Sequence, residues 1–164
     1  MEEAWAVVRR YTELLRAHFG NKLKAVAVFG SLARGEAKFP ESDIDLLLVL
    51  EGARGSIGKR LKMLKSIRKQ LEATLEYKAF KQRYGYGPVL CPHVFNVKEL
   101  QRHPPLLLDL TEDAVILYDS GVLKRELKRL RQRLKELGAR RVERGRFWYW
   151  ILKPDIKPGE VVEL

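Results

Sequence analysis

Two short apolar runs constrain what this chain can fold into more than any other feature. KAVAVF at 24–29 and DIDLLLVL at 43–50 lie close together, and neither is long enough for an ordinary helix. Runs of this length, bounded by turn residues, read as buried strands. Gly30 breaks the first run, and the second opens with Asp43 and Asp45, one residue apart. A buried strand with two carboxylates at its mouth, beside a glycine turn, needs a chemical reason.

The rest of the chain alternates helix and strand. Residues 2–19 repeat apolar side chains at helical spacing (Val7, Val8, Tyr11, Leu14, Leu15, Phe19), and Gly20-Asn21 ends them. Residues 31–36 read as a turn or short helix, with Pro40 in a loop. After a flexible link at 52–58, residues 59–80 read as one long basic amphipathic helix, with Leu61, Leu64, Ile67, Leu71 and Leu75 on one stripe. YGYGP at 84–88 is a strong breaker. Residues 89–97 read as a third strand, which Pro92 bends or places at an edge. Pro104-Pro105 opens a helix through Asp113, and 114–118 is a strand or a helix end. Gly121 and Gly138 bracket a basic helix, and 140–152 read as a two-stranded ribbon turning near Gly145. The alternation indicates an α/β (α+β) domain over 1–118. The helix and ribbon of 119–164 read as an extension packed on the same domain.

Composition narrows the setting. A chain of 164 residues can bury a core as one domain without disulfides. Its single cysteine, Cys91, excludes an intramolecular disulfide and fits a reducing cytosol. No apolar run approaches the roughly 20 residues of a membrane span, and MEEAWAVVRRYTELL is unlike a signal peptide. A cytoplasmic protein without a membrane partner is expected. The net charge is +11, and residues 122–146 carry eleven Lys and Arg against three acids. Such a patch can steer nucleic acid or nucleotide phosphates. A solvated Lys/Arg/Glu helix face of the thermophile kind is the favoured reading, and the scarcity of asparagine (Asn21 and Asn96) leans the same way.

The aspartate pair has a physical logic. Side chains at i and i+2 of a strand share a face, about 6–7 Å apart. Asp43 and Asp45 therefore project together and repel unless a cation sits between them. Magnesium prefers hard oxygen ligands and shares them with substrate phosphates. Paired carboxylates can also bridge two metals about 3.5–4 Å apart that clamp an in-line phosphoryl displacement. Gly30 lets backbone approach a ligand. Ser31 offers a hydroxyl and can cap the helix that follows, whose first amides form an anion site. Turn and aspartates meet only if the two strands run antiparallel or the link folds the mouth back.

Phe29-Gly30-Ser31, eleven residues, then Asp43-Ile44-Asp45-Leu46 resembles the signature of the polymerase-β-like nucleotidyltransferase superfamily. "GSLARGE…SDIDLLLV" is similar to its minimal branch, common in bacteria and archaea, and the tail WYWILKPDIKPGEVVEL resembles some archaeal members. The resemblance implies a small mixed β-sheet with flanking helices, here with a C-terminal helix plus β-ribbon. It implies transfer of a nucleoside monophosphate, AMP from ATP, to an acceptor hydroxyl. Gly30, Ser31 and Arg34 would bind the nucleotide, and Asp43 and Asp45 would be the catalytic carboxylates that hold Mg2+ or Mn2+. The acceptor could be a tyrosine on a helical toxin-like protein partner, a nucleic-acid end or a small molecule.

Active members of that superfamily carry a third carboxylate on a later strand. Here VLCPHVFNV at 89–97 has no Asp or Glu. His93 is the nearest substitute, as metal ligand or proton acceptor, although imidazole suits magnesium poorly. Glu76 and Glu99 fall outside the strand. This departure leaves a second reading: a catalytically weak, antitoxin-like module that docks a partner through its basic helix. A nucleic-acid-binding domain is a third reading, with no recognition motif behind it. Arg34 can reach a phosphate or pair with Glu36 or Glu41. Leu123, Leu127, Leu130, Leu134 and Leu137 form a heptad seam that favours packing on the chain's own domain. Trp148, Tyr149 and Trp150 beside Arg144 and Arg146 can stack on bases, but a core-packing face is favoured.

Overall fold

The computed structural model describes residues 1–145 and 147–164; Arg146, one of the basic residues named above, lies outside the described residues. In chain order the elements are α1 (Glu2–Phe19), β1 (Leu23–Phe29), α2 (Gly30–Ala33), β2 (Ile44–Leu50), α3 (Ile57–Met63), α4 (Lys65–Glu72) and α5 (Leu75–Tyr84). Then follow β3 (Leu90–Phe95), α6 (Val97–Leu100), α7 (Leu106–Asp113), β4 (Val115–Asp119), α8 (Val122–Leu137), β5 (Arg140–Arg144) and β6 (Phe147–Ile151). No helix among the described residues is long and apolar enough to cross a membrane.

The four-stranded sheet has the order β3-β2-β1-β4. β1 runs antiparallel to β2 and β4, while β3 is parallel to β2. The parallel step needs a long crossover, and α3 to α5 supply it. β1 and β2 are almost wholly buried, because both faces of the sheet are covered. On one face Val26, Val28, Ile44, Leu46 and Leu48 pack with Val7, Val8, Tyr11 and Leu15 of α1, Ile67 and Leu71 of α4 and Phe80 of α5. On the other, Ala25, Ala27, Phe29, Leu47 and Val49 pack with Leu107 and Leu110 of α7 and Leu123, Leu127, Leu130 and Leu134 of α8. The leucine seam of the basic helix therefore packs on its own domain.

Residues 59–80 are not one helix. The chain bends at Leu64, between α3 and α4, and breaks again at Ala73-Thr74. Thr74 caps α5 by accepting the amide of Tyr77 at 3.3 Å. After that break Leu75 leaves the stripe and stands 80% exposed, while Leu64, Ile67 and Leu71 are buried. The third strand is shorter than its apolar run, and β2 begins at Ile44, one residue after Asp43.

The ribbon β5–β6 is fixed to the second core through α7. The indole N–H groups of Trp148 and Trp150 both donate to Asp109 Oδ1, at 2.8 and 3.1 Å. Arg141 meets Asp113 at 3.5 Å and stacks over the Trp148 ring at 5.0 Å. The tryptophans thus face the protein, while Tyr149 and Phe147 are exposed. Asp109→Ala is expected to cost about 2 kcal/mol, since two hydrogen bonds to a charged acceptor are lost. Lower thermal stability with red-shifted tryptophan emission would report a freed ribbon; unchanged emission would mean that other contacts hold it.

Candidate functional site

The mouths of β1 and β2 come together because the two strands are antiparallel, with Phe29 opposite Asp45. Gly30 follows immediately at φ +72°. That left-handed backbone disfavours any residue with a Cβ. Space opposes one as well: a Cβ on Gly30 would sit 2.4 Å from Asp45 Oδ2, so the carboxylate would have to move. Glycine turn and carboxylate are therefore built against each other.

Gly30 opens α2, so Ser31 lies inside that single turn instead of capping it, and no side chain caps α2. The expected capping role of Ser31 is corrected: the first bond of the turn runs from the Arg34 amide to the Gly30 carbonyl, so Ser31 already lies within it and its hydroxyl makes no cap. Asp43 is exposed in the loop before β2, and Asp45 is half-buried within it.

β3 brings two more donors to the same place. In the parallel register Asp45 stands opposite Cys91 and Leu47 opposite His93. Cys91 and His93, at i and i+2, share a face of β3. A carboxylate oxygen of Asp45, the Cys91 thiol and a ring nitrogen of His93 all lie within 4.8 Å of one another. Cys91 Sγ and His93 Nε2 are 4.0 Å apart, and the His93 ring packs on Phe29 with centroids 5.5 Å apart. The sequence analysis assigns Cys91 no place in the site; its alternation with His93 along the third strand is the signal that points to one.

The electrostatics follow from burial. Partial burial pushes the Asp45 carboxyl above the usual range; Asp43 adds to this, while His93 and Arg34 oppose it. Burial, then Asp45 and Asp43, also push the Cys91 thiol up. Both groups sit where a cation would be welcomed.

Arg34 points elsewhere than expected in part. It donates to Glu36 at 2.9 Å and to Asp113 at 3.0 Å, and its guanidinium lies 4.7 Å over the Trp148 ring. Glu41 is not its partner; Asp113 arrives from α7, which no local pattern reveals. Arg34, Ser42, Arg141, Phe147 and Trp148 line a cavity of about 550 Å³ beside the Asp43 loop.

Among the described residues, neither Glu99 nor Glu76 completes the site. Glu99 takes two hydrogen bonds from Arg60, each 2.6 Å, and caps α6 with Asn96. The Arg60 bonds hold its carboxyl below the usual range. Glu76 lies in the first turn of α5 beside Glu2 and Glu3 of α1, on the opposite face of the sheet.

A profile of the nucleotidyltransferase domain family matches residues 8–144. The chain belongs to the nucleotidyltransferase domain family. The match runs through β1, the Gly30 turn, β2 and β3, and extends across α8 to the end of β5. Domains of this family generally use divalent metals. No curated protein matches the sequence. Among solved structures, similar folds occur in a toxin-antitoxin with AMP-PNP (14% identity, 79% of this chain and 90% of that one, TM-score 0.42). They occur too in a double aspartate-to-glutamate mutant of the toxin-antitoxin MntA-HpeT (12% identity, 77% and 88%, TM-score 0.39). A tyrosine-to-alanine mutant of the same toxin-antitoxin gives 13% identity, 77% and 88% coverage and a TM-score of 0.41.

Proposed function

We propose that this nucleotidyltransferase is of the minimal, archaeal-type branch and transfers AMP from ATP to the hydroxyl of an acceptor. The observation that carries the reading is the Gly30–Asp45 contact. A turn where any Cβ would displace the Asp45 carboxylate faces that half-buried group at the strand mouths. The two carboxylates fit a divalent ion of the Mg2+ or Mn2+ type, which takes one or two protein carboxylates and completes its shell with phosphate oxygens. Asp43 and Asp45 would hold it. When bound, such an ion neutralises phosphate charge and polarises the attacked phosphoryl group.

The protein's own contribution is positioning. Gly30 and Ser31 bring backbone and a hydroxyl to the triphosphate. Arg34 gives up its exposed partner Glu36 for a phosphate while Asp113 keeps its guanidinium in place. The cavity beside Ser42, walled by Trp148 and Arg141, takes the nucleoside. An acceptor oxygen forms a bond to the α-phosphorus as the bond to the β-phosphate oxygen breaks. Pyrophosphate leaves with the electron pair, and the hydroxyl proton passes to solvent. A cytoplasmic setting, and a division into a catalytic part at 1–118 with an extension at 119–164, complete the reading.

Titrating ATP into the protein with and without Mg2+ tests this directly. Magnesium-dependent binding should vanish in Asp43→Asn, and transfer to any acceptor should fall by at least about 10²-fold. Asp43→Asn with metal-dependent transfer intact would overturn the assignment.

One observation favours a second reading. β3 carries no carboxylate, and Glu99 is already committed to Arg60. A nucleotidyltransferase-fold module with weak chemistry could instead dock a helical toxin-like partner. Stable co-purification of such a partner, with no turnover of any nucleotide, would establish it.

A further inference from the structure

The third wall of the site has the wrong chemistry for magnesium. Where a hard ion would want a further oxygen, β3 presents a thiol and an imidazole. Thiolate, imidazole and carboxylate together select a borderline ion such as zinc, not a hard one.

We propose that Asp45, Cys91 and His93 form a binding site for a single zinc-class transition-metal ion, with its fourth position left to water or substrate.

The geometry supports this in three ways. First, zinc bonds of about 2.3 Å to sulfur and 2.0–2.2 Å to nitrogen or oxygen, at tetrahedral angles, put neighbouring donors roughly 3.3–3.6 Å apart. The three donor atoms here lie within 4.8 Å of one another, and sulfur and Nε2 are 4.0 Å apart. Small side-chain rotations close that difference. At 4.0 Å the thiol and the imidazole stand at the outer limit of a sulfur hydrogen bond, so neither donor is held tightly by the other.

Second, the donors stand on a stiff frame. β2 and β3 are paired in register from Ile44 opposite Leu90 to Val49 opposite Phe95. Pro92, between the two β3 ligands, fixes its own backbone angle, and an edge strand tolerates it. Phe29 packs on the His93 ring and limits its swing. Metal sites depend on such support for ring orientation.

Third, three protein donors with no fourth in the group is the pattern of a zinc site that keeps a position for water or substrate. Asp43 is not a member of the group. The zinc-class site and the Asp43–Asp45 pair thus share one ligand without being the same site. The inference goes beyond the transfer reading, because metal binding here requires no nucleotide.

Cobalt(II) added to the 164-residue chain under anaerobic conditions is the test. Cys91 is the only cysteine in the chain, so any thiolate-to-cobalt band must come from it. One equivalent should give a near-ultraviolet charge-transfer band with visible bands of a four-coordinate ion. Zinc should displace both, and a large excess of magnesium should not. Cys91→Ser should remove the near-ultraviolet band, and His93→Gln should weaken cobalt affinity at least about tenfold. Absence of the band in the wild-type protein overturns the proposal without any variant. So does a band that appears only as protein concentration rises, since two copies would then share the ion. Asp43→Asn separates the two readings. A cobalt band retained in that variant while it loses transfer supports both. Transfer without a cobalt band in the wild type sinks this site alone, and a cobalt band without transfer in the wild type sinks the transfer reading alone.

Discussion

Gly30→Ala is expected to cut nucleotidyl transfer by about 10²-fold while leaving a folded, less stable protein. Two effects combine. The backbone at φ +72° costs a residue with a Cβ about 1–2 kcal/mol. The new methyl would then meet Asp45 Oδ2 at 2.4 Å, so the carboxylate or the turn must shift. A displacement near 1 Å at a reacting centre can cost about 10²-fold in rate. Gly35→Ala supplies the control. Gly35 also has positive φ, +74°, but its Cβ would meet only the Met1 side chain at 3.9 Å. It should lose comparable stability and keep its transfer rate. Melting curves and initial rates for both variants decide the matter. If Gly30→Ala keeps full activity, the turn and Asp45 are not a working pair.

Much of this pair was legible in the sequence, and the reason is local. β1 and β2 announce themselves because strands covered on both faces must be apolar almost throughout. A glycine at the end of one, and alternating aspartates at the start of the other, need no long-range information to be noticed. Their meeting required only that the strands be antiparallel, which the structure shows. What stayed hidden is either non-local or masked by periodicity. The break at Thr74 falls within an unbroken apolar stripe, so the 3.6-residue pattern overrode a cap that side-chain chemistry supplies. Asp113 reaches Arg34 across 79 positions of sequence, a distance no spacing rule covers. Cys91 reads in the sequence only as a lone cysteine that excludes an intramolecular disulfide. Its role depends on the parallel register that sets it beside Asp45, and register between distant strands is not written in either strand alone.

The second large effect is on stability, and it runs opposite to the first. Asp45→Asn is expected to melt above the wild type in chelator at neutral pH, although it should be inactive. Burial, the largest cause, raises the Asp45 carboxyl above the usual range, with Asp43 adding to it and His93 and Arg34 opposing it; no hydrogen bond contributes. A carboxyl whose pKa is higher in the folded than in the unfolded state holds its proton more tightly when folded. Stability therefore declines as pH rises through that pKa, and the ionised group remains a cost at pH 7. Asparagine keeps the shape and removes the charge. The advantage of Asp45→Asn should shrink as pH falls below the ordinary carboxylate range, where both proteins are neutral at this position. A divalent ion should reverse the order. An ion at about a hundred times its Kd stabilises the wild type by about 2.7 kcal/mol, or roughly 5–10 °C in a chain of this length. It should do little for Asp45→Asn. A variant that melts no higher than the wild type in chelator would mean that Asp45 is satisfied within the fold instead of held ready for a cation.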